Sequence, residues 1–312
     1  MKLLYSAIYT LGTKMTVHSS KVLGSALGTV MWNSLPKRRK LAVNAVQQHL
    51  NVNHEEATVI AKKSFMHNCR SFLEIFLVPK INEKFINELV IQYPEDAFSR
   101  IVANNRPIVA TTAHMGAWEV LAGLLGEIGS ASHRAQPLVV VRTNKNEDIN
   151  ELIFRLREGR GAKVLSHRNA VFSVLRSLKK NGIAAFLVDH NTKRKEAIFT
   201  DFLGETAAVN SGPAFLALRG KALVLPTFLV RDEKGGYKFI IEPPLDTTTL
   251  KGTREENIQQ ITRFYTDAVE RVVKQYPDQW FWMHNRWKTQ PRANDEVLPR
   301  DLYEKITPKS QL

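Results

Sequence analysis

The chain has 312 residues, of which 44% are hydrophobic, and its formal net charge is +14. That size supports one large core or two small ones, and the positive balance favours an anionic membrane surface, an acidic protein or nucleic acid. A single cysteine, Cys69, excludes an intramolecular disulfide and any cysteine-rich metal cluster.

The N-terminus contains two uncharged pieces, Leu3 to Thr13 and Val22 to Pro36, interrupted by Lys14 and Lys21. Neither reaches the roughly 20 apolar residues of a spanning helix. The cluster Lys37-Arg38-Arg39-Lys40 follows directly. An apolar segment beside a basic cluster reads as an interfacial anchor, with a core helix and its solvated basic end as the alternative. Residues 1–36 are assigned as a membrane-associated segment, single-pass or peripheral. Residues 37 to about 106 read as mostly helical. Asn53, with Glu56 three positions on, is a helix start.

The pattern changes after Pro107. Short apolar runs at Ile108–Ala110, Leu138–Val141, Ile183–Val188 and Leu223–Val230 read as buried strands. Amphipathic stretches separate them: Trp118–Ile128, Asp148–Glu158, Val171–Lys179 and Pro213–Leu218. This alternation predicts an α/β fold with a mixed, mostly parallel sheet flanked by helices. Gly235-Gly236 predicts a hairpin into Tyr237–Ile241, making one edge antiparallel. Thr253-Arg254-Glu255-Glu256 is a capping box opening a long helix. One domain is expected over 37–292, with a polar, loosely attached tail over 293–312.

The stretch Thr111-Thr112-Ala113-His114-Met115-Gly116-Ala117-Trp118-Glu119 follows the first strand. On one helix, His114 and Glu119 would point about 140° apart. They can cooperate if His114 lies on the turn before the helix and Glu119 in its first turns. The carboxyl end of such a strand is where ligands bind in open α/β sheets. A histidine there can take a proton from a hydroxyl, with a carboxylate holding the ring. The same spacing also describes a capping histidine followed by a carboxylate favoured by the helix dipole. Arg142, at the end of the next strand, is placed to bind phosphate or an oxyanion, or to pair with Asp189. G-x-S-x-G, P-loop, G-x-G-x-x-G and H-E-x-x-H patterns are all absent, so no cofactor or metal is expected.

Together these pieces resemble the bacterial lipid A biosynthesis acyltransferases, the lysophospholipid-type group with lauroyl and myristoyl transferases. His114 and Glu119 match its H-x4-D/E motif, and Arg142 and Asn146 its strand-end R…N segment. Asp189 matches an acidic residue ending a later strand. Trp280, Trp282, His284, Arg286, Trp287 and Lys288 fit its C-terminal W-x-W-x-H-x-R-W-K signature. His190 departs from the pattern, standing where glutamine is expected, and Asp201 where proline is common.

The resemblance implies an O-acyltransferase at the cytoplasmic face of a bacterial inner membrane. The implied donor is an acyl thioester, on acyl carrier protein or coenzyme A, and the acceptor a hydroxyl of a lipid A precursor or related glycolipid. In this reading His114 is the base and Glu119 orients it. Arg142, Asn146 and Asp189 bind substrate, and Arg286 and Lys288 line the lipid entrance. A non-catalytic lipid-binding relative is the alternative. A nucleic-acid partner is not expected, since both motifs would then have no role.

Overall fold

The computed structural model describes residues 8–132, 134–143 and 146–299, with backbone alone at 98, 100, 102 and 169. The first seven residues of the assigned membrane segment and residues 300–312 of the tail lie outside the described residues. After a helical stretch at residues 8–12 come three long helices: α1 (Val17–Ser34), α2 (Pro36–Leu50) and α3 (His54–Glu74). Thr16 and Ser19 form a capping box on α1, and the Asn53 side chain accepts the Glu56 N–H at the start of α3. Gly24 of α1 faces the backbone of Arg70, and Gly28 that of Met66, so α1 and α3 run in opposite directions in close contact. A Cβ at Gly28 would stand 2.4 Å from the Met66 Cα, a distance that only glycine permits.

A 3-10 turn at Ile75–Lys80 leads to α4 (Glu83–Leu89), β1 (Val90–Tyr93) and α5 (Ala97–Ala103). The alternating part follows as β2 (Ile108–Thr112), α6 (Trp118–Ala131), β3 (Leu138–Val141), α7 (Glu147–Arg157), β4 (Lys163–Ser166), α8 (Ala170–Leu178) and β5 (Ile183–Leu187). Next come β6 (Ala197–Phe202), β7 (Glu205–Asn210), α9 (Gly212–Gly220), β8 (Leu223–Arg231), β9 (Tyr237–Ile241) and β10 (Leu245–Asp246). The described chain closes with α10 (Arg254–Gln275) and β11 (Val297–Leu298).

The main sheet has the order β1-β9-β8-β2-β5-β3-β4, with β10 beside β8. Strands β8, β2, β5, β3 and β4 are mutually parallel, and β9 is antiparallel to β8. The expected mixed, mostly parallel sheet is therefore present. Strands β2 and β8 are buried along their whole length, which explains why each opens with consecutive apolar residues. Burial of each such Val, Leu or Ile side chain contributes about 1.5–3 kcal/mol.

The structure adds strands that periodicity does not show. β1 pairs in parallel with β9, so the antiparallel hairpin strand lies inside the sheet rather than at its edge. β6 and β7 form a separate hairpin, turned by Leu203 and Gly204, both at positive φ. β11 joins that hairpin, and its Leu298 is buried. The tail is thus attached at 297–298 rather than loose there.

No helix among the described residues is long and apolar enough to cross a membrane. The single-pass alternative therefore has no spanning helix within them. α1 is buried along Ser20, Gly24, Gly28 and Trp32, while Val22, Leu23, Leu27 and Val30 are exposed.

Candidate active site

Two adjacent parallel strands build the centre. β2 and β5 pair through Thr112↔Leu187, and the Val188 N–H donates to the Thr112 carbonyl just beyond. His114 and Asp189 therefore emerge two residues past that pair, side by side at the carboxyl edge of the sheet. The His114 Nδ1–H donates to Asp189 Oδ1 at 2.8 Å, and the His114 backbone N–H donates to Oδ2 at 2.9 Å. The Trp280 indole N–H also donates to Oδ2, at 2.9 Å.

Burial alone would raise the Asp189 pKa. The charge and hydrogen bond of His114, with lesser help from His190 and Trp280, outweigh it and hold the carboxyl well below its usual range. An ionised Asp189 is acceptor-only, so Nδ1 of His114 carries a proton, and Nε2 is the ring nitrogen that Asp189 does not engage.

The turn that aims His114 is itself braced. Gly116 has φ +57, and a Cβ there would meet the Leu229 carbonyl oxygen at 2.1 Å. The Gly116 N–H donates to the Gln279 carbonyl, and the Phe281 N–H donates to the His114 carbonyl. The Ser71 hydroxyl donates to the Gly116 carbonyl at 2.6 Å. Ser71 in turn accepts from Arg231, which pairs with the buried Glu74. The C-terminal tryptophan segment is thus a clamp on the His114 turn, and Trp280 and Trp282 are core residues.

Glu119 occupies the first turn of α6 and is buried, but its carboxylate is engaged elsewhere. Arg157 of α7 grips it through Nε–H to Oε2 at 2.7 Å and through a second N–H to Oε1 at 2.6 Å. The Trp118 indole N–H adds a bond of 3.3 Å to Oε1. The expectation that Glu119 orients the imidazole is therefore corrected: the carboxylate on the ring is that of Asp189.

The other expected residues separate into two groups. Arg142 is exposed at the end of β3 and, among the described residues, has no ion-pair partner. Its charge nonetheless reaches His190. Asn146 caps α7, its side chain accepting the Ile149 N–H at 3.2 Å. Lys288 is exposed. Arg286 is 1% exposed and donates to the Ala208 carbonyl at 2.7 Å, with its guanidinium over the Phe202 ring. It braces β7 from inside instead of lining an entrance. Burial lowers its pKa to about 10.

Sequence reasoning gave no site role to two further histidines. His190 stacks on His114 with ring centroids 3.9 Å apart and planes 13° from parallel. His284 lies 4.5 Å beyond His190, and its Nε2 accepts the Asn191 N–H at 2.9 Å. Burial first, then the charge on His114, lowers the His190 pKa to about 3. Burial is also the largest cause lowering His284 to about 4. The adjacency of Asp189 and His190 to a strand end was the available signal, but the stack depends on strand order.

An apolar rim leads to this centre. Phe72 is 55% exposed and meets Trp118 edge-on at 5.6 Å, and Trp118 meets His114 at the same centroid distance.

Comparison with known sequences bears on what such a centre serves. Residues 1–289 match the family described as bacterial lipid A biosynthesis acyltransferase. The chain belongs to that family. Among its relatives in the lipid A biosynthesis acyltransferase family, it is 24% identical over 198 residues to the lipid A biosynthesis palmitoleoyltransferase of Escherichia coli (strain K12). That alignment covers 63% of this chain and 60% of the relative. It is 27% identical over 136 residues to the lauroyltransferase of the same organism, 43% of each chain. It is also 24% identical over 225 residues to the phosphatidylinositol mannoside acyltransferase of Mycobacterium tuberculosis (strain ATCC 25618 / H37Rv), with 70% of this chain and 67% of the relative covered. The chain spans about 60% of the length of the palmitoleoyltransferase it matches.

Proposed function

We propose that this protein transfers a fatty acyl chain from a thioester to a hydroxyl of a lipid A precursor or a related glycolipid. The observation that carries the reading is the His114–Asp189 pair, with Nε2 of His114 left free as a base. The relatives' names support the substrate class: two carry fatty acyl names in lipid A biosynthesis, and one acylates phosphatidylinositol mannoside.

In this mechanism His114 Nε2 takes the proton of the acceptor hydroxyl, and Asp189 stabilises the imidazolium that forms. The oxygen attacks the thioester carbonyl carbon, forming a C–O bond, and the C–S bond breaks. The proton on His114 passes to the departing thiolate, which restores the base. Arg142, exposed on the same sheet edge, supplies a cation to a phosphate of either substrate or to the developing oxyanion. Glu119 acts with Arg157 as a brace that fixes α6, and hence the His114 turn, against α7.

The donor is acyl carrier protein or acyl coenzyme A, and a chain of charge +14 suits either anionic carrier. The acceptor enters from a membrane surface on which α1 lies, with exposed Val22, Leu23, Leu27 and Val30 inward and the basic cluster at headgroup level. The test is an acyl-transfer assay on detergent-solubilised protein with labelled acyl thioesters and a bacterial glycolipid extract. The expected result is a new acylated glycolipid, absent with His114→Ala. Vesicle binding without product from any donor would overturn the reading in favour of a lipid-binding protein.

A further inference from the structure

A cavity of about 490 Å³ lies away from the His114 centre, where the end of α1 meets α2 and the start of α3. Its wall includes Trp32, Arg39, Lys40, Val43, Asn44 and His54, and no carboxylate lines it. That volume is within the range of small-ligand sites. We propose that it binds the anionic phosphodiester headgroup of a membrane glycerophospholipid. The proposal rests on the membrane-surface reading above and assigns it a specific lipid contact.

Charge favours an anion here. Most arginines that brace this fold meet a carboxylate: Arg157 with Glu119, Arg231 with Glu74, Arg106 with Asp246. Arg39 and Lys40 have no such partner among the described residues. The Arg39 guanidinium instead lies 5.7 Å from the Trp32 ring centroid, which holds it in place without neutralising it. Two uncompensated cations in one concave site create a local positive potential. A guanidinium fork matches two phosphate oxygens, and a nearby ammonium adds a point charge. The exposed Asn44 and the His54 ring supply polar atoms on the remaining wall.

Position favours a lipid. Trp32 ends the same helix whose outer face exposes Val22, Leu23, Leu27 and Val30. A helix lying in the interface buries its apolar face only about 5–10 Å, at the boundary of headgroups and acyl chains. The cavity is then at headgroup depth. Trp32 and Val43, both buried, give it an apolar floor that fits the glycerol end of a lipid. A headgroup carrying its own quaternary ammonium would set a third cation beside Arg39 and Lys40, so phosphatidylglycerol is favoured over phosphatidylcholine.

The full-length protein is tested by sedimentation with phosphatidylcholine vesicles containing about 30% phosphatidylglycerol. K21Q/K37Q removes two charges from the same region but outside the cavity, and should weaken binding about 30-fold, the diffuse effect of two basic residues at such a surface. R39Q/K40Q removes the same charge and the headgroup contacts as well, and should weaken it several-fold more. Equal losses in the two pairs would overturn the proposal in favour of diffuse attraction. Soluble dihexanoyl phosphatidylglycerol should bind the parent with one-to-one stoichiometry by calorimetry, and R39Q/K40Q should abolish this. Equal binding of inorganic phosphate alone would overturn the lipid assignment. His114→Ala separates the two readings: it should bind vesicles as the parent does whether or not acyl transfer is found. A parent that binds no vesicle would overturn the membrane reading itself.

Discussion

Asp189 lies 75 residues from His114 in sequence, yet its two carboxylate oxygens accept both the ring Nδ1–H and the backbone N–H of that histidine. Ring tautomer and ring position are therefore fixed by one side chain. Asp189→Asn keeps the shape but presents an amide that cannot accept both bonds as an ionised carboxylate does. We expect turnover to fall by about 10²–10⁴, the usual worth of a general base, with His114→Ala at least as low. Steady-state acyl transfer, with circular dichroism to verify folding, checks both.

Glu119 and Arg157 form a buried pair with side-chain exposures of 4% and 17%. Removing one partner of such a pair leaves the other uncompensated and costs about 3–5 kcal/mol. Arg157→Met should lose stability on that scale in urea unfolding, and E119Q/R157M should recover much of the loss. If Glu119 acts only as a brace, activity returns with stability in the double variant. A stable but inactive double variant would assign the Glu119 carboxylate a part in the chemistry.

Three partly buried histidines give the fold a defined response to acid. His67 and His190 have pKa values lowered to about 3, and His284 to about 4, burial being the largest cause in each. In the unfolded chain a histidine titrates near 6.5, so below that pH the unfolded state binds more protons than the folded one. Stability is then complete above about pH 6.5 and declines as pH falls toward 3. Asp189, held below the usual carboxylate range, adds a further loss below about pH 4. Urea midpoints between pH 4 and 7 should fall with acidification, and His190→Gln should flatten the slope. An unchanged slope would contradict the burial of a neutral His190.

Gly116 has φ +57, and a Cβ there would be 2.1 Å from the Leu229 carbonyl oxygen. Gly116→Ala combines left-handed strain with a backbone clash. A loss of about 1–3 kcal/mol is expected from the strain alone. Because the His114 turn must shift, kcat should fall more than the stability loss explains. Thermal unfolding and kinetics on the same sample separate the two effects.

Much of the fold was legible because burial writes itself into composition. The runs at Ile108, Ile183 and Leu223 are mostly apolar since both faces of those strands are covered. Caps at Asn53 and Thr253 were legible because a helix start leaves backbone N–H groups that a nearby side chain must satisfy. Strands β1 and β4 escaped notice because each has four residues and a mixed exposure pattern. The β6–β7 hairpin turns through Leu203 and Gly204, and a leucine at positive φ carries no turn signal of its own beside the single glycine.

The sequence alone determined that His114 stands at a strand-to-helix turn, that a carboxylate follows five residues later, and that basic residues crowd the surface. Local order along the chain suffices for those facts. Which carboxylate holds the imidazole was decided only by tertiary structure. β5 pairs in parallel beside β2, and that register carries Asp189 to the ring, while Arg157 comes across from α7 to take Glu119. Sheet order sums many weak non-local contacts and leaves no periodic mark in the sequence. Likewise Arg286 near the C-terminus reads as lining a lipid entrance, yet core packing draws it inside with Trp280 and Trp282, where they brace the site.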